Sequence, residues 1–266
     1  MMSIRLGRIP YLNSEVFYQD FPLDLVEVKE YVPSALSRAA RRGEIDIGPV
    51  PSVTCFELED QFMPFRKFGI AVKDKARSVL LFSRRPVEEL HGAHVGVTGE
   101  SSTSVRLLKV LLTRRYGVTP ERYVSTKELR SDAVLLIGDA ALNNRHGLPS
   151  YPRVYDLGEM WREWTGLPFV FARWIVRRDL NAEALEFLGE LLSQSLEVGL
   201  KRINEIAARR SDLSMTVGEV CEYLHGFTYI LGEKEEEALA LFREYLDAYD
   251  HDTADRPPIE EAPHAG

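Results

Sequence analysis

Three short stretches of this sequence place a polar segment directly after a buried apolar run, where a strand would meet a helix. They are residues 49–52, 98–104 and 138–140. The first backbone N–H groups of a helix have no partner within the helix, so such a junction readily binds carboxylates and phosphates. Together the three stretches predict a binding site for an anionic ligand.

The stretch 98–104 carries the strongest signal, because it adds a run of hydroxyl groups to the expected helix start. Thr98 closes the preceding strand, and Ser101, Ser102 and Thr103 follow shortly after it. One serine would be explained as a helix cap, whereas several consecutive hydroxyls favour a site for a carboxylate. We expect these four side chains to bind the ligand.

The other two junctions have simpler explanations beside the functional one. Pro51 and Ser52 follow a predicted strand, 45–47, that ends in a proline-rich turn, and Ser52 is a candidate helix cap. Gly138 and Asp139 follow a longer apolar run, and Asp139 either binds the ligand or merely caps its own helix. These four residues are expected to line the site.

A neutral amide and an aromatic cluster complete the candidate site. Asn13 follows the first predicted strand and can donate and accept a hydrogen bond without carrying charge, although a turn residue is an equally good interpretation. The aromatic cluster at 161–169 forms either core or an apolar wall against a ring-shaped ligand. We expect Thr165 and Phe169 to be its members nearest the ligand.

Metal, cofactor and thiol chemistry are not indicated by the residue pattern. Cys55 and Cys221 match no metal-binding spacing and are expected to be reduced thiols, most simply buried ones. None of the six histidines has a helical ligand spacing with Glu or Cys. The sequence also lacks a phosphate loop, a dinucleotide fingerprint and a nucleophile elbow. We expect no metal and no cofactor.

The composition excludes several classes of partner. A chain of 266 residues with 45% hydrophobic content can form one large domain or two small lobes. Its formal net charge of -8 argues against nucleic-acid binding. There is no apolar run of the roughly 18 residues that a membrane span needs, and no apolar stretch typical of a signal peptide. We expect a cytoplasmic monomer or homodimer that acts on a small molecule.

The order of the elements predicts an α/β fold. Short apolar strands alternate with helices as far as residue 176, which indicates parallel strands covered by helices. The pattern then predicts helices and no strand, at 182–209, 217–229 and 233–249, with Asn181 and Thr216 as starts of the first two. The stretch 250–266 is rich in Pro, Asp, Glu and Ala and is expected to be disordered.

We expect two lobes, because two runs of α/β units are joined by long apolar strands. The first lobe comprises residues 1–82 and 177–249, and the second comprises residues 83–176. In such sheets a ligand binds in the crevice at the carboxyl ends of the strands.

Five segments together resemble one enzyme family, the chorismate dehydratases of the futalosine route to menaquinone. These are residues 8–13, 43–52, 78–83, 136–141 and 155–169. The resemblance implies the two-lobed, type II periplasmic-binding-protein-like fold with its ligand cleft between the lobes. It also implies a hydro-lyase, a carbon–oxygen lyase that removes water from chorismate to give 3-[(1-carboxyvinyl)oxy]benzoate.

On this resemblance the candidate residues receive roles. Asn13 is assigned to the reacting centre, the hydroxyls at 101–103 to one carboxylate of chorismate, and Ser52 with Ser83 to the other end of the substrate. No histidine or buried carboxylate base is apparent at the three junctions, so the enolpyruvyl carboxylate of the substrate is the expected base.

Two alternatives share the fold. Dihydroxynaphthoate synthase, an enzyme of the same route, carries a histidine at the third junction, where this chain has Gly138 and Asp139. This departure favours the dehydratase. A non-catalytic carboxylate-binding protein would also fit the two lobes, and the absence of a signal peptide counts against it.

Overall fold

The computed structural model describes residues 4–22, 25–126 and 131–254. Within it the chain forms two compact units. The first contains the residues up to Ala71 together with Val170–Gly232, and the second contains Val72–Phe169 together with the residues from Glu233 onward. The strands are β1 Arg5–Arg8, β2 Glu27–Glu30, β3 Ile47–Pro51, β4 Phe62–Val72, β5 Val79–Ser83, β6 His94–Val97, β7 Arg122–Ser125, β8 Ala133–Ile137, β9 Arg153–Asp156, β10 Phe169–Arg177 and β11 Phe227–Ile230.

Helices follow most of these strands. The α-helices are α1 Pro33–Arg41, α2 Ser52–Glu57, α3 Thr103–Val110, α4 Gly138–Asn143, α5 Leu157–Thr165, α6 Ala182–Lys201, α7 Ile203–Ala208, α8 Val217–His225 and α9 Glu233–Ala254. Short 3-10 helices form at Leu12–Tyr18 and Val87–Glu89, and α3 continues into a π-helical turn, Leu111–Arg115. None of the helices in the described ranges is long and apolar enough to cross a membrane.

The first unit is built on a six-stranded mixed sheet in the order β11-β4-β10-β3-β1-β2. The three strands on one side of it, β3-β1-β2, are parallel, whereas β10 runs antiparallel to β3. Leu36, Ile45, Val50 and Ile175 form a core cluster against one face of this sheet. Leu36 lies on α1, Val50 and Ile175 lie on strands, and Ile45 lies just before β3, so burial of their side chains fixes the helix against the sheet.

The second unit is built on a five-stranded sheet in the order β7-β6-β8-β5-β9. β6 runs parallel to β7 and β8, whereas β5 runs antiparallel to β8 and β9. Trp161 of α5 lies at the centre of an aromatic cluster, with its ring centroid 5.2 Å from that of Phe169 and 5.9 Å from that of Phe242 of α9. These contacts join α9 to α5.

The predicted proline-rich turn after residue 47 is instead part of β3. Gly48, Pro49, Val50 and Pro51 all pair with β10 in antiparallel register. Proline has no N–H to donate, so it is tolerated in a strand only where no ladder bond is needed from it. The pairing of β3 with β1 extends only to Ile47, opposite Leu6, so Pro49 and Pro51 are not required to donate a hydrogen bond to β1.

The C-terminal third also differs from the prediction. The helix expected over 182–209 is interrupted at Arg202, and the expected absence of strands is wrong, because β11 follows α8 and lies at an edge of the first sheet. The predicted starts are confirmed: Asn181 caps α6 through the Ala184 N–H, and Thr216 forms a capping box with Glu219 at α8.

The boundaries of the two units differ from those of the predicted lobes. The sequence placed 72–82 and α9 with the first lobe and 170–176 with the second, and the structure groups them the other way. The physical reason is packing, since α9 contributes its aromatic face to Trp161. α9 also extends to Ala254, into the segment expected to be disordered, while residues 255–266 lie outside the described part of the chain.

Candidate active site

The second unit brings two of the predicted junctions to one edge of its sheet. β6 and β8 are parallel neighbours, so the loop that begins at Thr98 and the turn at Gly138 both leave the same edge. Ser78, just before β5, lies there as well, because its carbonyl oxygen accepts a hydrogen bond from the Gly138 N–H at 2.8 Å. This edge of the second unit is the candidate active site.

The loop from Thr98 to Ser102 presents hydroxyl groups whose hydrogens are not used within the described structure. Thr98 Oγ1 accepts from the Glu100 N–H at 3.2 Å, and Ser101 Oγ accepts from the Ser104 N–H at 3.1 Å. Ser102 Oγ is shielded from solvent and makes no hydrogen bond to any described residue. A hydroxyl that only accepts, or makes no bond, keeps its O–H for a ligand acceptor. The loop is therefore suited to a carboxylate.

α3 places its N-terminus behind these hydroxyls. Ser102 is the N-cap position but does not cap the helix with its side chain, and Thr103, the first helical residue, is buried. Asp250 of α9 accepts a hydrogen bond from Arg106 at 2.5 Å, which fixes α3 against α9. The positive end of the helix dipole adds to the attraction for an anion.

The third junction contributes less than the sequence predicted. Gly138 begins α4 with a φ of 56°, a left-handed conformation that favours glycine, and its N–H is already donated to Ser78. The alternative that Asp139 merely caps the helix is wrong, since Ile137 holds the cap position without a side-chain bond. Asp139 is half-buried near this edge.

In the first unit, Asn13 and the start of α2 follow two parallel neighbours, β1 and β3, at one edge of the sheet. Asn13 is half-buried in the 3-10 helix Leu12–Tyr18, and its side chain makes no hydrogen bond to a described residue. Its amide therefore remains able to donate and accept.

Ser52 does not match its predicted part. Pro51 is buried at the end of β3, and Ser52 opens α2 without capping it. Its hydroxyl is fully buried and donates to the Val170 carbonyl at 2.6 Å. The hydroxyl hydrogen is consumed by this bond, so Ser52 joins α2 to β10 rather than offering a donor.

Ser83 lies at the opposite edge of the second sheet from the candidate site. β5 is antiparallel to β8, so Ser83 pairs with Ala133, whereas Val79 pairs with Ile137 beside Gly138. The Ser83 hydroxyl is buried and donates to the Arg85 carbonyl at 2.7 Å. The structure does not bring Ser83 together with the hydroxyls of 98–103.

Thr165 and Phe169 have structural partners in the second unit. The Thr165 hydroxyl donates to the Trp161 carbonyl at 2.9 Å, within the last turn of α5. The Phe169 ring is 1% exposed and lies edge-on to Phe242 with ring centroids 5.0 Å apart. Phe169 is therefore a core residue, which is the first of the two interpretations of the aromatic cluster.

Asp156 is a residue of this edge that the sequence reasoning missed. It caps α5 through the Gly158 and Glu159 N–H groups and also accepts from the N–H groups of Ala76 and Arg77, at 2.9 and 2.6 Å. Burial raises the pKa of Asp156, although these four N–H groups favour its ionised form. Because the backbone occupies the carboxyl group, Asp156 positions the start of β5 and is not a base. The sequence signal that could have identified it as a helix cap is its position three residues before Glu159.

The cysteines offer no nucleophile. Burial raises the pKa of the Cys55 thiol to about 12, so the thiolate is scarce at neutral pH. The Cys221 thiol lies 3.1 Å from Asn204 Oδ1. Both cysteines are free, as expected from the sequence.

Comparisons with known proteins identify both the family and the fold. A sequence model described as menaquinone biosynthesis matches residues 4–248. Chorismate dehydratase of Thermus thermophilus is 34% identical over 262 residues, which cover 91% of this chain and 94% of that protein. The 1,4-dihydroxy-6-naphtoate synthase of the same organism is 28% identical and covers 92% of this chain and 94% of its own length.

Among solved structures, protein AF1704 from Archaeoglobus fulgidus has a TM-score of 0.72 at 18% identity, covering 92% of this chain and 97% of that one. The periplasmic aliphatic sulphonate binding protein SsuA from Escherichia coli has a TM-score of 0.60 at 16% identity, covering 98% and 90%. At these identities the likeness concerns the fold alone. It confirms the predicted α/β fold, that of type II periplasmic binding proteins.

Proposed function

The chain belongs to the menaquinone biosynthesis family, and we propose that within it this enzyme is a chorismate dehydratase. The observation that carries the proposal is the loop 98–102, whose hydroxyl hydrogens are available to a carboxylate. Chorismate carries two carboxylates. The higher identity to a chorismate dehydratase than to the naphtoate synthase points the same way.

The reaction requires the enzyme mainly to orient the substrate, and less to supply a strong acid or base. Loss of the proton at C3 and of the hydroxyl at C4 gives an aromatic ring, so the driving force lies in the substrate. The C3–H and C4–O bonds break, a ring double bond forms, and the proton and hydroxide leave as water. Holding the dianion in one conformation and assisting one proton transfer supply large rate factors.

The proposed roles follow from the available hydrogen-bonding groups. Thr98, Ser101 and Ser102 donate to one carboxylate, and the first amides of α3, from Thr103, add to their field. Asn13 hydrogen-bonds the reacting centre. The enolpyruvyl carboxylate is assigned as the group that takes the C3 proton, and Asp156, a buried carboxyl group at this edge, is instead held by four backbone N–H groups.

The remaining candidate residues shape the site. Pro51, Ser52 and Gly138 act through the backbone positions that they fix, and the half-buried Asp139 lies near the same edge as the loop 98–102. We place Ser83, Thr165 and Phe169 in the supporting structure, because each side chain already has partners there.

Incubation of the purified protein with chorismate tests the activity. We expect an aromatic absorbance to appear and the mass of the product to be lower by one water. Saturable binding of chorismate without conversion would indicate a carboxylate-binding protein. Absence of both, with turnover of the naphtoate synthase substrate, would assign the second activity of the family.

The variant Asn13→Ala tests the assigned reacting-centre residue. Loss of a positioned hydrogen-bonding group should lower kcat by about 100-fold or more, while binding of a product analogue stays measurable by calorimetry. Asn204→Ala, an exposed amide on α7 in the same unit, is the matched control and should keep normal turnover. Near-normal turnover of Asn13→Ala would overturn the assignment.

A further inference from the structure

The 3-10 helix Leu12–Tyr18 that carries Asn13 is fixed by contacts from outside it. It has no side-chain cap, and 3-10 helices have poorer hydrogen-bond geometry than α-helices. The Ser14 hydroxyl is fully buried, at 2.5 Å from the Ile9 carbonyl oxygen and 2.9 Å from that of Tyr11. Asn13 is thus anchored on one side by the residue that follows it.

Arg8, the last residue of β1, supplies the second anchor. Its Nη2 lies 3.0 and 3.2 Å from the two carboxylate oxygens of Glu15, and its Cζ lies 4.7 Å from the centroid of the Tyr18 ring. Nη1 is 3.5 Å from Glu30 on the neighbouring strand β2. The Arg8 and Glu15 side chains are only 19% and 21% exposed, so water screens this pair less than a surface pair.

These contacts join the helix to the sheet at two positions on one face of the helix. Arg8 belongs to β1, whose backbone pairs in register with β2, and its side chain reaches Glu15 and Tyr18, one turn apart in a 3-10 helix. Contacts at both positions oppose rotation of the helix about its axis and sliding along it. Asn13 lies two residues before Glu15 in the same short helix, so a shift of the helix at Glu15 also displaces the backbone that carries the Asn13 amide.

We propose that Arg8 is a positioning residue for Asn13, acting through Glu15 and Tyr18 to hold the amide at the reacting centre. The inference rests on the proposed function, because it takes Asn13 as the residue that meets the substrate. A displacement of about 1 Å at a catalytic group can cost about 100-fold in rate. The effect should therefore fall on kcat, since the carboxylate-binding hydroxyls belong to 98–102.

The test is a kinetic comparison of Arg8→Gln, Glu15→Gln and their double variant with chorismate as substrate. Each single variant should lower kcat by about 10- to 100-fold and change KM by less than about threefold. The double variant should lose no more than the worse single one, because both remove the same pair. Arg8→Lys, which keeps the charge but not the forked geometry, should recover part of the loss.

Arg5→Gln is the matched control. It lies three residues earlier on β1 and breaks the two-pronged pair with Asp46 at the other edge of the sheet. It should lower the thermal midpoint and leave kcat unchanged. A purely structural role of Arg8 would give the same result as this control, and that outcome would overturn the inference.

The two proposals fail in different ways. A wild-type protein that does not convert chorismate overturns the proposed function. A wild-type protein that converts it, with an inactive Asn13→Ala and a fully active Glu15→Gln, overturns only the positioning role. Additive losses in the double variant, or a loss confined to KM, also overturn it. Circular dichroism of each variant separates these results from unfolding.

Discussion

At the scale of single residues, the direction of a hydroxyl hydrogen bond separates structural serines from ligand-binding ones. Ser52 donates to a backbone carbonyl, whereas Ser102 makes no bond to a described residue. Both sit at the start of a helix, and the sequence gives no sign of the difference. Removal of the hydroxyl should therefore affect stability at Ser52 and substrate binding at Ser102.

Ser52→Ala should destabilise the protein by about 1 kcal/mol, because the buried Val170 carbonyl loses its donor. Ser102→Ala should leave the free energy of unfolding unchanged and raise KM for chorismate about tenfold, because a hydrogen bond to a charged carboxylate is lost. Urea unfolding and steady-state kinetics measure the two effects, and each variant is the control for the other. An exchange of the two phenotypes would contradict the assignment.

Asp46 predicts a pH dependence of stability. Burial disfavours its charge, but hydrogen bonds from the Arg5 side chain and N–H outweigh this and hold the pKa of Asp46 below its usual value. A carboxyl group with a lowered pKa contributes stability above its unfolded pKa of about 4, and the contribution is lost as the pH falls through the folded value.

Asp46→Asn should therefore cost about 2 kcal/mol at pH 7, and the gap to the wild type should narrow below about pH 4. Urea unfolding at both pH values measures it. Arg42→Gln is the control, because its pair with Glu44 is exposed and screened by water, so its loss should change the free energy of unfolding little at either pH. A difference in the free energy of unfolding between variant and wild type that grows at acid pH would contradict the lowered pKa of Asp46.

At the scale of elements, the 3-10 helix with Asn13 depends on its close approach to α6. Ser195 Oγ lies 2.8 and 2.7 Å from the carbonyl oxygens of Phe17 and Gln19. A β-carbon at Gly199 would overlap the Val16 carbonyl oxygen, so the backbone itself fills the space that a side chain would need. Glycine is required here by contact between two elements.

Gly199→Ala should lower stability by about 2 kcal/mol through overpacking and should also lower kcat, since the displaced helix carries Asn13. Thermal unfolding and chorismate turnover measure the two effects. Gly218→Ala in α8, where a β-carbon meets open space, is the matched control. Wild-type behaviour of Gly199→Ala would show that α6 does not set this helix.

Sequence patterns predicted the class of fold and the hydroxyl loop because both are local properties. Helix caps such as Asn181 and the run 101–103 are visible in consecutive residues. The direction of a strand is not, since alternating burial looks the same in both directions. Ser83 was therefore expected at the site, although Ser78, at the other end of the same apolar run, lies there.

Pairing partners were also beyond the sequence. The prolines of β3 indicate a turn by local rules, and only the extent of pairing with β1 explains why they are tolerated in a strand. β11 is short and follows α8 directly, so its residues were absorbed into a helical pattern. Tertiary context overrides propensity in both cases.

At the scale of the whole molecule, the chain passes between its two units at three positions, and α9 returns to the second. Its Phe242 packs edge-on against Trp161 and Phe169. The second unit is therefore built from two separate stretches of chain, and its aromatic core requires both.

Phe242→Ala should destabilise the second unit by about 3–5 kcal/mol, because it empties part of an aromatic core. Hydrogen exchange should accelerate in β5 and β8 and stay unchanged in β1 and β3. Phe187→Ala, an exposed aromatic on α6, is the control. Faster exchange confined to the first unit would contradict the assignment of α9 to the second unit.

The return of α9 also sets the order in which the molecule can be completed during synthesis. β11, the edge strand of the first sheet, leaves the ribosome before α9, so the first unit can close while the second still lacks its covering helix. Until α9 emerges, Trp161 and Phe169 expose apolar surface in the growing chain. A nascent chain that pauses between β11 and α9 is thus a natural client for a chaperone that binds aromatic surface.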